Sequence, residues 1–226
     1  MSRILAINSA SDFCSVTISD TDTVTTTTRS APTERGHGDA VLAMIDQILQ
    51  ETNYAKTSID ALAFACGPGA FTSLRIGAGI TQGLAVGIDR PVVPISSLAM
   101  LAHGVYRQHQ RQRTLVAIDA RMGQVYFAAY ETAVIGDSQL VSEVRVCDPV
   151  ELTWSKGVWT TVGNGWQVYA DEIPPDSALK YIGGGAEDSA IDVACLAEQI
   201  VKEGKALPAE FALPVYVRDR VVHQAC

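Results

Sequence analysis

Residues 4–18 read ILAINSASDFCSVTI, and residues 115–127 read LVAIDARMGQVYF. In both stretches an apolar strand is followed by a polar turn and then by a strand in which apolar and polar residues alternate. The turn begins with Asn8 in the first stretch and with Asp119 in the second. Solenoid repeats recur every 20–50 residues or so. A single repeat at about half the chain length indicates instead that a whole domain has been duplicated.

The residues around the two stretches predict a similar set of elements in each half of the chain. Hydrophobic periodicity and turn residues predict strands at 3–8, 13–19, 23–29, 59–66, 91–95, 114–119, 124–130, 139–146 and 159–162. The same signals predict helices at 38–52, 74–88, 96–110 and 189–203, a short helix opening at 148–149, and an extended tail at 214–222. The helix at 96–110 should be capped by Ser96 or Ser97.

These elements predict an α/β chain with an N-terminal lobe, residues 1–110, and a C-terminal lobe, residues 111–226. Each lobe would hold a mixed sheet flanked by helices, with a cleft between the lobes. This is the plan of the duplicated actin-like (ASKHA, ribonuclease H-like) fold, shared by actin, hexokinase and Hsp70. In its phosphotransferases the two turns hold the nucleotide phosphates and the metal.

Composition narrows the classes of function. The 226 residues are 47% hydrophobic and 19% charged, which is typical of a globular protein, and no run reaches the roughly 18 apolar residues of a membrane span. The N-terminus reads as a first strand and not as a signal peptide. Five scattered cysteines without a C-x-x-C pair are typical of a reduced, cytoplasmic protein. With a net charge of −8, the chain is expected to bind nucleic acid only through a more basic partner.

The loop after the fourth predicted strand is CGPGAFTSLRIG, residues 66–77. Proline fixes φ, and glycine permits backbone conformations closed to other residues, so a tight turn is expected. Thr72 or Ser73 could cap the next helix, and free N–H groups at such a junction can bind an anion. A Walker loop is excluded because there is no Gly-Lys-Ser/Thr. The residues leave open whether this turn is functional or structural; its candidate site residues are Gly67, Pro68, Gly69, Phe71 and Thr72.

The helix that follows this loop carries glycines at every fourth position, Gly79, Gly83 and Gly87, so they share one face. Each glycine inside a helix costs about 1 kcal/mol relative to alanine. Such a stripe indicates that another backbone comes close. That backbone could belong to the chain's own sheet or to a second subunit. For the second alternative, the candidate interface also includes Gln82 and Arg75.

Motifs for catalysis are missing from the sequence. There is no H-E-x-x-H metal motif and no Gly-x-Ser-x-Gly elbow, so neither catalytic residues nor metal ligands are predicted. Phosphoryl transfer on this fold needs an acidic group at the first turn, and the neutral Asn8 cannot supply it. The turns are therefore interpreted as a vestigial nucleotide site, formed by Asn8, Asp119, Gly163 and Gly165. A small-molecule kinase or ATPase, and a peptidase, remain as alternatives.

Four stretches together carry a family resemblance: GPGAFTSLRIG at 67–77, IDARMGQVY at 118–126, VGNGW at 162–166 and PVYVR at 214–218. In this combination the chain resembles the TsaB (YeaZ) family of tRNA threonylcarbamoyladenosine biosynthesis proteins, which are glycoprotease-like. Two positions depart from the usual pattern. Asn8 stands where the family often has Asp, and 69–73 reads GAFTS where the family often has GSFTG. The first departure weighs further against a nucleotide site in this subunit.

The resemblance implies a non-catalytic scaffold and activator with an actin-like fold. Proteins of this family form homodimers when alone and pair with the catalytic, metal-carrying paralogue TsaD, a complex that the ATPase TsaE joins. The complex transfers a threonylcarbamoyl group from threonylcarbamoyl-AMP, which TsaC makes, to adenosine 37 of tRNA. The resemblance further implies a dimer contact through the first helices of the N-terminal lobe. It implies no cofactor on this subunit alone, with ATP or ADP possible at the partner interface.

Overall fold

A computed structural model describes residues 2–10, 13–32, 37–183 and 189–218. Its strands are β1 Arg3–Asn8, β2 Phe13–Asp20, β3 Thr25–Pro32, β4 Ala61–Gly67, β5 Val92–Ser96, β6 Arg113–Arg121, β7 Gln124–Val134, β8 Asp137–Leu140, β9 Arg145–Cys147, β10 Trp159–Val162 and β11 Leu179–Tyr181. Its α-helices are α1 His37–Thr52, α2 Phe71–Ile88, α3 Ser97–His109, α4 Gly165–Val168 and α5 Ala190–Lys202. Short 3-10 turns occupy Lys56–Ser58, Pro149–Glu151 and Ala209–Phe211. The tail predicted for 214–222 is described only as far as residue 218.

The two sheets repeat one topology, which confirms the duplication. The first sheet has the order β3-β2-β1-β4-β5, and the second, taken from its other edge, has the order β8-β7-β6-β10-β11. In both sheets the first two pairings are antiparallel and the last two are parallel. The strand β9 adds along β7. This is the duplicated actin-like, ribonuclease H-like α/β fold that the repeat predicted.

Helices α3 and α5 lie between the two sheets. One apolar cluster joins Ile4 of the first sheet, Val116 of the second, Leu98 of α3 and Val193 of α5. The outer face of the first sheet is covered by α1 and α2 through a second cluster. Although α5 belongs to the C-terminal half of the chain, it packs against β1, β2, β4 and β5. The lobe boundary between residues 110 and 111 stays a prediction. Helix α5 follows this boundary in the sequence, yet it packs on the sheet formed by the residues that precede it.

The strand predicted at 139–146 is wrong, because two strands replace it. Leu140 at the end of β8 pairs with Tyr130, and Arg145 at the start of β9 pairs with Phe127. Between these pairs the backbone N–H of Ala129 donates to the side-chain Oγ of Ser142 at 2.9 Å. A side-chain oxygen thus takes the place of a main-chain carbonyl, and the ladder is interrupted.

Ser96 caps α3, as predicted. Its Oγ accepts from the backbone N–H groups of Leu98 at 3.3 Å and Ala99 at 3.5 Å. These two donors have no carbonyl partner inside the helix, so the cap stabilises the first turn.

The carboxylate of Asp20 joins the ends of β1 and β2 and is almost fully buried. It accepts from Arg3 Nη2 at 2.6 Å, from the Tyr54 hydroxyl at 2.8 Å and from the backbone N–H of Asp22 at 2.9 Å. Chiefly because of the hydrogen bond from Arg3, the pKa of the Asp20 carboxyl lies well below its usual range. The charged form is therefore the form that stabilises the fold.

We expect Asp20→Asn to lower the free energy of unfolding by about 1.5–3 kcal/mol at pH 7, the usual contribution of a hydrogen bond to a charged group. Since the folded pKa is depressed, this stabilisation is present above the unfolded pKa of about 3.9 and is lost as the pH falls below it. Urea unfolding between pH 7 and pH 3 should show the gap between the two proteins narrowing at the acidic end. The exposed neighbour Asp22 provides the control, Asp22→Asn; a gap independent of pH would contradict the expectation.

Candidate functional site

The loop between β4 and α2 is built by close backbone approaches. A Cβ on Gly67, which has φ +120°, would lie 2.7 Å from the carbonyl oxygen of Val215. A Cβ on Gly69 would lie 2.7 Å from the carbonyl oxygen of Ala10 in the β1–β2 turn. Real side chains do not come this close, so both positions need glycine. Pro68 lies between them, after a cis peptide bond. The loop thus has a structural role in joining the tail and the first turn.

The prediction that Thr72 or Ser73 caps α2 is wrong. The helix begins at Phe71, and its N-cap residue is Ala70, with no side-chain cap. The backbone N–H of Ala70 donates to the carbonyl of Ala10 at 3.4 Å, and the carbonyl of Ala70 accepts from Leu74 at 2.9 Å. The contact with the β1–β2 turn therefore starts the helix early and places Thr72 and Ser73 inside its first turn.

Asn8, in the first of the two turns, is fully buried. Its side-chain Nδ2 donates to Ser189 Oγ at 2.6 Å, just before α5. Its Oδ1 accepts from the backbone N–H of Ala10 at 3.0 Å. Both ends of the amide are used inside the protein, so this side chain ties the turn to α5 and faces no ligand.

Asp119, in the second turn, is held in a comparable way. Its Oδ1 accepts from the Tyr169 hydroxyl at 2.8 Å and from the backbone N–H of Arg121 at 2.8 Å. Its Oδ2 lies 3.1 Å from Arg121 Nη1, and its side chain is 5% exposed. Burial, and then the hydrogen bond to the Asp119 carboxylate, raise the pKa of the Tyr169 phenol. The carboxylate is thus engaged with the protein's own donors.

Gly163 and Gly165 pack on β6 at the second turn. A Cβ on Gly163 would overlap the carbonyl oxygen of Ala117, and a Cβ on Gly165 would lie 3.0 Å from it. Between them, Asn164 Oδ1 accepts from the backbone N–H of Asp119 at 2.9 Å. Sequence reasoning missed Asn164, although its position between two glycines was a signal, and it missed Tyr169, for which the sequence offers none.

The glycine face of α2 is open. Apart from the helix's own backbone, no described atom lies within 4 Å of a Cβ placed on Gly79, Gly83 or Gly87. The alternative in which the stripe packs on the chain's own sheet is therefore wrong. Of the four glycines in this helix, only Gly77 packs against another described part of the chain, since its Cβ would overlap Ser9 Oγ in the β1–β2 turn. Three glycines cost the helix about 3 kcal/mol in total, and no contact with another described part of the chain offsets this cost.

Large apolar side chains are exposed on α2 and on the C-terminal segment beside it. Phe71 and Val86 are 43% and 67% exposed on the helix, and the segment contributes Phe211, Leu213 and Tyr216 at 51%, 58% and 44%. Clustered exposed apolar residues on a folded protein are typical of an interaction surface.

The two other interface candidates, Arg75 and Gln82, bind the C-terminal segment. Arg75 Nε donates to the Tyr216 hydroxyl at 2.9 Å, and its guanidinium lies 3.7 Å above the Phe71 ring. Gln82 Nε2 donates to the carbonyl of Ala209 at 3.3 Å. The C-terminal segment therefore forms one edge of the glycine face.

The structure brings the predicted residues together in two places. The first turn, the loop and the glycine face are continuous, because the loop contacts Ala10 and leads directly into α2. The second turn groups Asp119 with Gly163 and Gly165 through Asn164. Within the described ranges, no three His, Cys, Asp or Glu side chains are arranged to hold a metal ion. In the same ranges no helix is long and apolar enough to span a membrane.

Known proteins match this chain along most of its length. The family model "TsaD: tRNA N6-adenosine threonylcarbamoyltransferase" matches residues 15–150. The tRNA threonylcarbamoyladenosine biosynthesis protein TsaB of Escherichia coli K12 is 38% identical over 97% of this chain and 96% of its own. The chain belongs to the TsaB (YeaZ) family. The Haemophilus influenzae TsaB is 36% identical over 74% of each chain.

The solved structures of the TsaB (YeaZ) family have the same fold. A crystal structure from Pseudomonas aeruginosa, described as an uncharacterized protein with similarity to peptidase YEAZ, superposes with a TM-score of 0.89. It is 34% identical and covers 96% of this chain and 100% of its own. YeaZ from the same organism superposes with a TM-score of 0.87 at 33% identity, again covering 96% of this chain and 100% of its own. The duplicated two-sheet fold described above is thus that of the TsaB family.

Proposed function

We propose that this chain is a non-catalytic scaffold and activator subunit in the threonylcarbamoylation of adenosine 37 of tRNA, and that it works by pairing with the catalytic paralogue TsaD. The biosynthesis named for its TsaB relatives supports the pathway. The match to the TsaD family model over residues 15–150 supports a partner with a related fold. The open glycine face of α2 carries the proposal of a partner subunit.

The energetics of α2 support an interface. Alanine at Gly79, Gly83 and Gly87 would meet no atom of the described chain, so the glycines are explained neither by packing nor by helix propensity. Glycines on one helix face let a second backbone approach closely. Exposed Phe71 and Val86 supply apolar area next to this strip. A helix of a second subunit fits such a surface, from a second copy when the chain is alone and from TsaD in the working complex.

The two turns support the non-catalytic part of the proposal. The side chain of Asn8 is hydrogen-bonded to Ser189, and the carboxylate of Asp119 is bound by Tyr169 and Arg121. Neither side chain therefore presents a group to a metal or to phosphate. We therefore propose that this subunit alone binds no nucleotide and that ATP or ADP belongs to the interface with the partner. With a net charge of −8, the chain would meet tRNA only within a complex that includes TsaD and the ATPase TsaE, in the cytoplasm.

Gly83→Leu tests the interface. We expect this variant to weaken both self-association and binding to TsaD by at least about 30-fold, since a residue that blocks the centre of an interface costs 2 kcal/mol or more. At dilutions where both proteins are monomeric, the variant should be as stable as the parent or slightly more stable, because leucine is a better helix former than glycine and a Cβ at this position meets no described atom outside the helix. Light scattering and a pull-down with TsaD measure association, and thermal unfolding measures stability.

Gln108→Leu, an exposed substitution on α3, is the matched control and should change neither quantity. Association of Gly83→Leu at parental strength would refute the interface. Loss of association together with a loss of stability would show that the substitution acts on folding instead, and would equally refute the argument.

A further inference from the structure

The C-terminal segment crosses from one sheet to the other. After the 3-10 turn that ends at Phe211, the backbone N–H of Val215 donates to the carbonyl of Cys66, at the end of β4, at 2.8 Å. The carbonyl of Val215 lies so close to Gly67 that only glycine fits there. The first anchor of the segment is therefore the carboxyl end of a central strand in the first sheet.

The middle of the segment is held by an aromatic and cationic cluster on α2. The Tyr216 ring lies 5.5 Å from the Phe71 ring, centroid to centroid. The guanidinium of Arg75 stacks on Phe71 and donates to the Tyr216 hydroxyl. The position of Tyr216 thus depends on a residue of the helix that carries the glycine face.

The far end of the segment is held by the β6–β7 turn of the second sheet. Arg218 Nη2 donates to Gln124 Oε1 at 2.6 Å and lies 3.4 Å from the carbonyl of Arg121. Its Nη1 lies 3.1 Å from Met122 Sδ. The side chain of Arg218 therefore binds the turn that follows Asp119, through both a backbone carbonyl and side chains of that turn.

These anchors place residues 213–218 across the carboxyl ends of β4 and β6. In open α/β sheets, that crevice is where ligands bind. Within the described part of the chain, the segment is attached there by few contacts: one main-chain hydrogen bond at Val215, the Tyr216 cluster and the hydrogen bonds of Arg218. Val215 and Tyr216 are also 50% and 44% exposed. Segments with few buried contacts open locally at a free energy far below that of global unfolding.

We propose that residues 213–218 are a detachable strap that ties the two sheets together across this crevice. The strap couples the Arg75 end of α2 to the Asp119 turn, so a change at one anchor alters the other. It also lies across the crevice at the strand ends. The inference stands on contacts inside this chain and is independent of the proposed partner.

Hydrogen exchange of the full chain, followed by mass spectrometry, tests the strap. We expect Arg218→Ala to raise exchange about tenfold or more at the amide of Val215 and in the turn 121–124, since the variant loses a charged hydrogen-bond donor. Exchange in the buried strand β1 should stay unchanged, which shows that the fold is intact. Parental exchange at both places would overturn the proposal.

The rate of tryptic cleavage after Arg218 provides a second test of the strap, in variants that keep Arg218 itself. The protease must take the Arg218 side chain into its own pocket, so cleavage after this residue requires the grip on Gln124 to open. We expect Gln124→Ala to speed this cleavage at least about fivefold. Gln112→Ala, which changes an exposed glutamine in the loop before β6, should leave the rate unchanged. Equal rates in the two variants would overturn the grip.

A substitution in α2 tests whether the strap couples that helix to the turn 121–124. Arg75 touches Phe71 and Tyr216, and the contacts that hold the turn belong to Arg218. We expect Arg75→Ala nevertheless to raise exchange in 121–124 about threefold, through release of the strap. Val86→Ala, on the same exposed helix face, should not do so. Faster exchange at Val215 without any change in 121–124 would refute the coupling.

Discussion

Replacing Asp192 with alanine should lower the free energy of unfolding by about 3–5 kcal/mol, the cost of breaking a buried ion pair by removing one partner. Asp192 is 1% exposed, and its carboxylate accepts from Arg107 Nε and Nη2, both at 2.9 Å. Its Oδ1 also lies 2.6 Å from His103 Nδ1. The loss is large because two buried or half-buried donors would be left behind.

The hydrogen bonds define the role of His103. Its Nε2 is 2.9 Å from the backbone N–H of Gly136, which can only donate, so Nε2 accepts and the proton lies on Nδ1. Nδ1 therefore donates to Asp192. The network joins α3, α5 and the β7–β8 turn, and it holds α5, which packs on the first sheet, to an element of the second.

Urea unfolding at pH 7 measures this effect. Asp192→Asn keeps the size of the side chain and one acceptor oxygen, and it should lose less stability than Asp192→Ala. Asp46→Ala removes an exposed ion pair with Lys56 and should cost no more than about 1 kcal/mol. A loss for Asp192→Ala as small as that of the surface control would contradict the expectation.

The second large effect is expected at Gly163. Gly163→Ala should lower the free energy of unfolding by about 3–5 kcal/mol, because it adds a steric overlap to backbone strain. The residue has φ +102°, and a Cβ there would lie 2.9 Å from the carbonyl carbon of Ala117 and closer still to its oxygen. The neighbouring atoms are backbone atoms of the central strand β6, so they cannot move aside.

Gly183→Ala separates the two contributions. Gly183 has φ +91°, but no described atom lies within 4 Å of a Cβ placed on it. Gly183→Ala introduces the backbone strain alone, without a steric overlap, and should lower the free energy of unfolding by about 1–2 kcal/mol. Thermal or urea unfolding compares the two variants. Equal losses would show that the contact between Gly163 and β6 has no energetic weight.

Elements with a strong local signal could be predicted from the sequence. The strand at 159–162 was located to the residue, because its apolar pattern and the following glycine define both ends. A cap at Ser96 or Ser97 is predicted because a cap acts within three residues of the chain, and Ser96 provides it. The errors lie where a distant residue intervenes. Ser142 breaks a strand by bonding to Ala129, and Ala10 starts α2 before the expected cap.

In the candidate site, too, local features could be predicted from the sequence and long-range contacts could not. The glycine stripe is visible in the sequence, since its period of four is a local property of a helix. Whether that stripe is buried or open depends on what packs nearby, and only the structure removed the alternative of the chain's own sheet. Likewise, the sequence identifies Asn8 as neutral, but its bond to Ser189 joins residues 181 positions apart.

The duplication was determined by the sequence alone, because two similar runs of strand, turn and strand lie half a chain apart and specify the same local structure twice. The tertiary structure decided how the halves are joined. Helix α5 lies between the sheets, Asn8 and Asp119 are engaged by distant residues, and the C-terminal segment crosses the strand ends to reach Gln124. The physical reason is the separation of the interacting residues along the chain. Periodicity and caps act over a few residues, whereas these contacts depend on which surfaces the folded chain brings together.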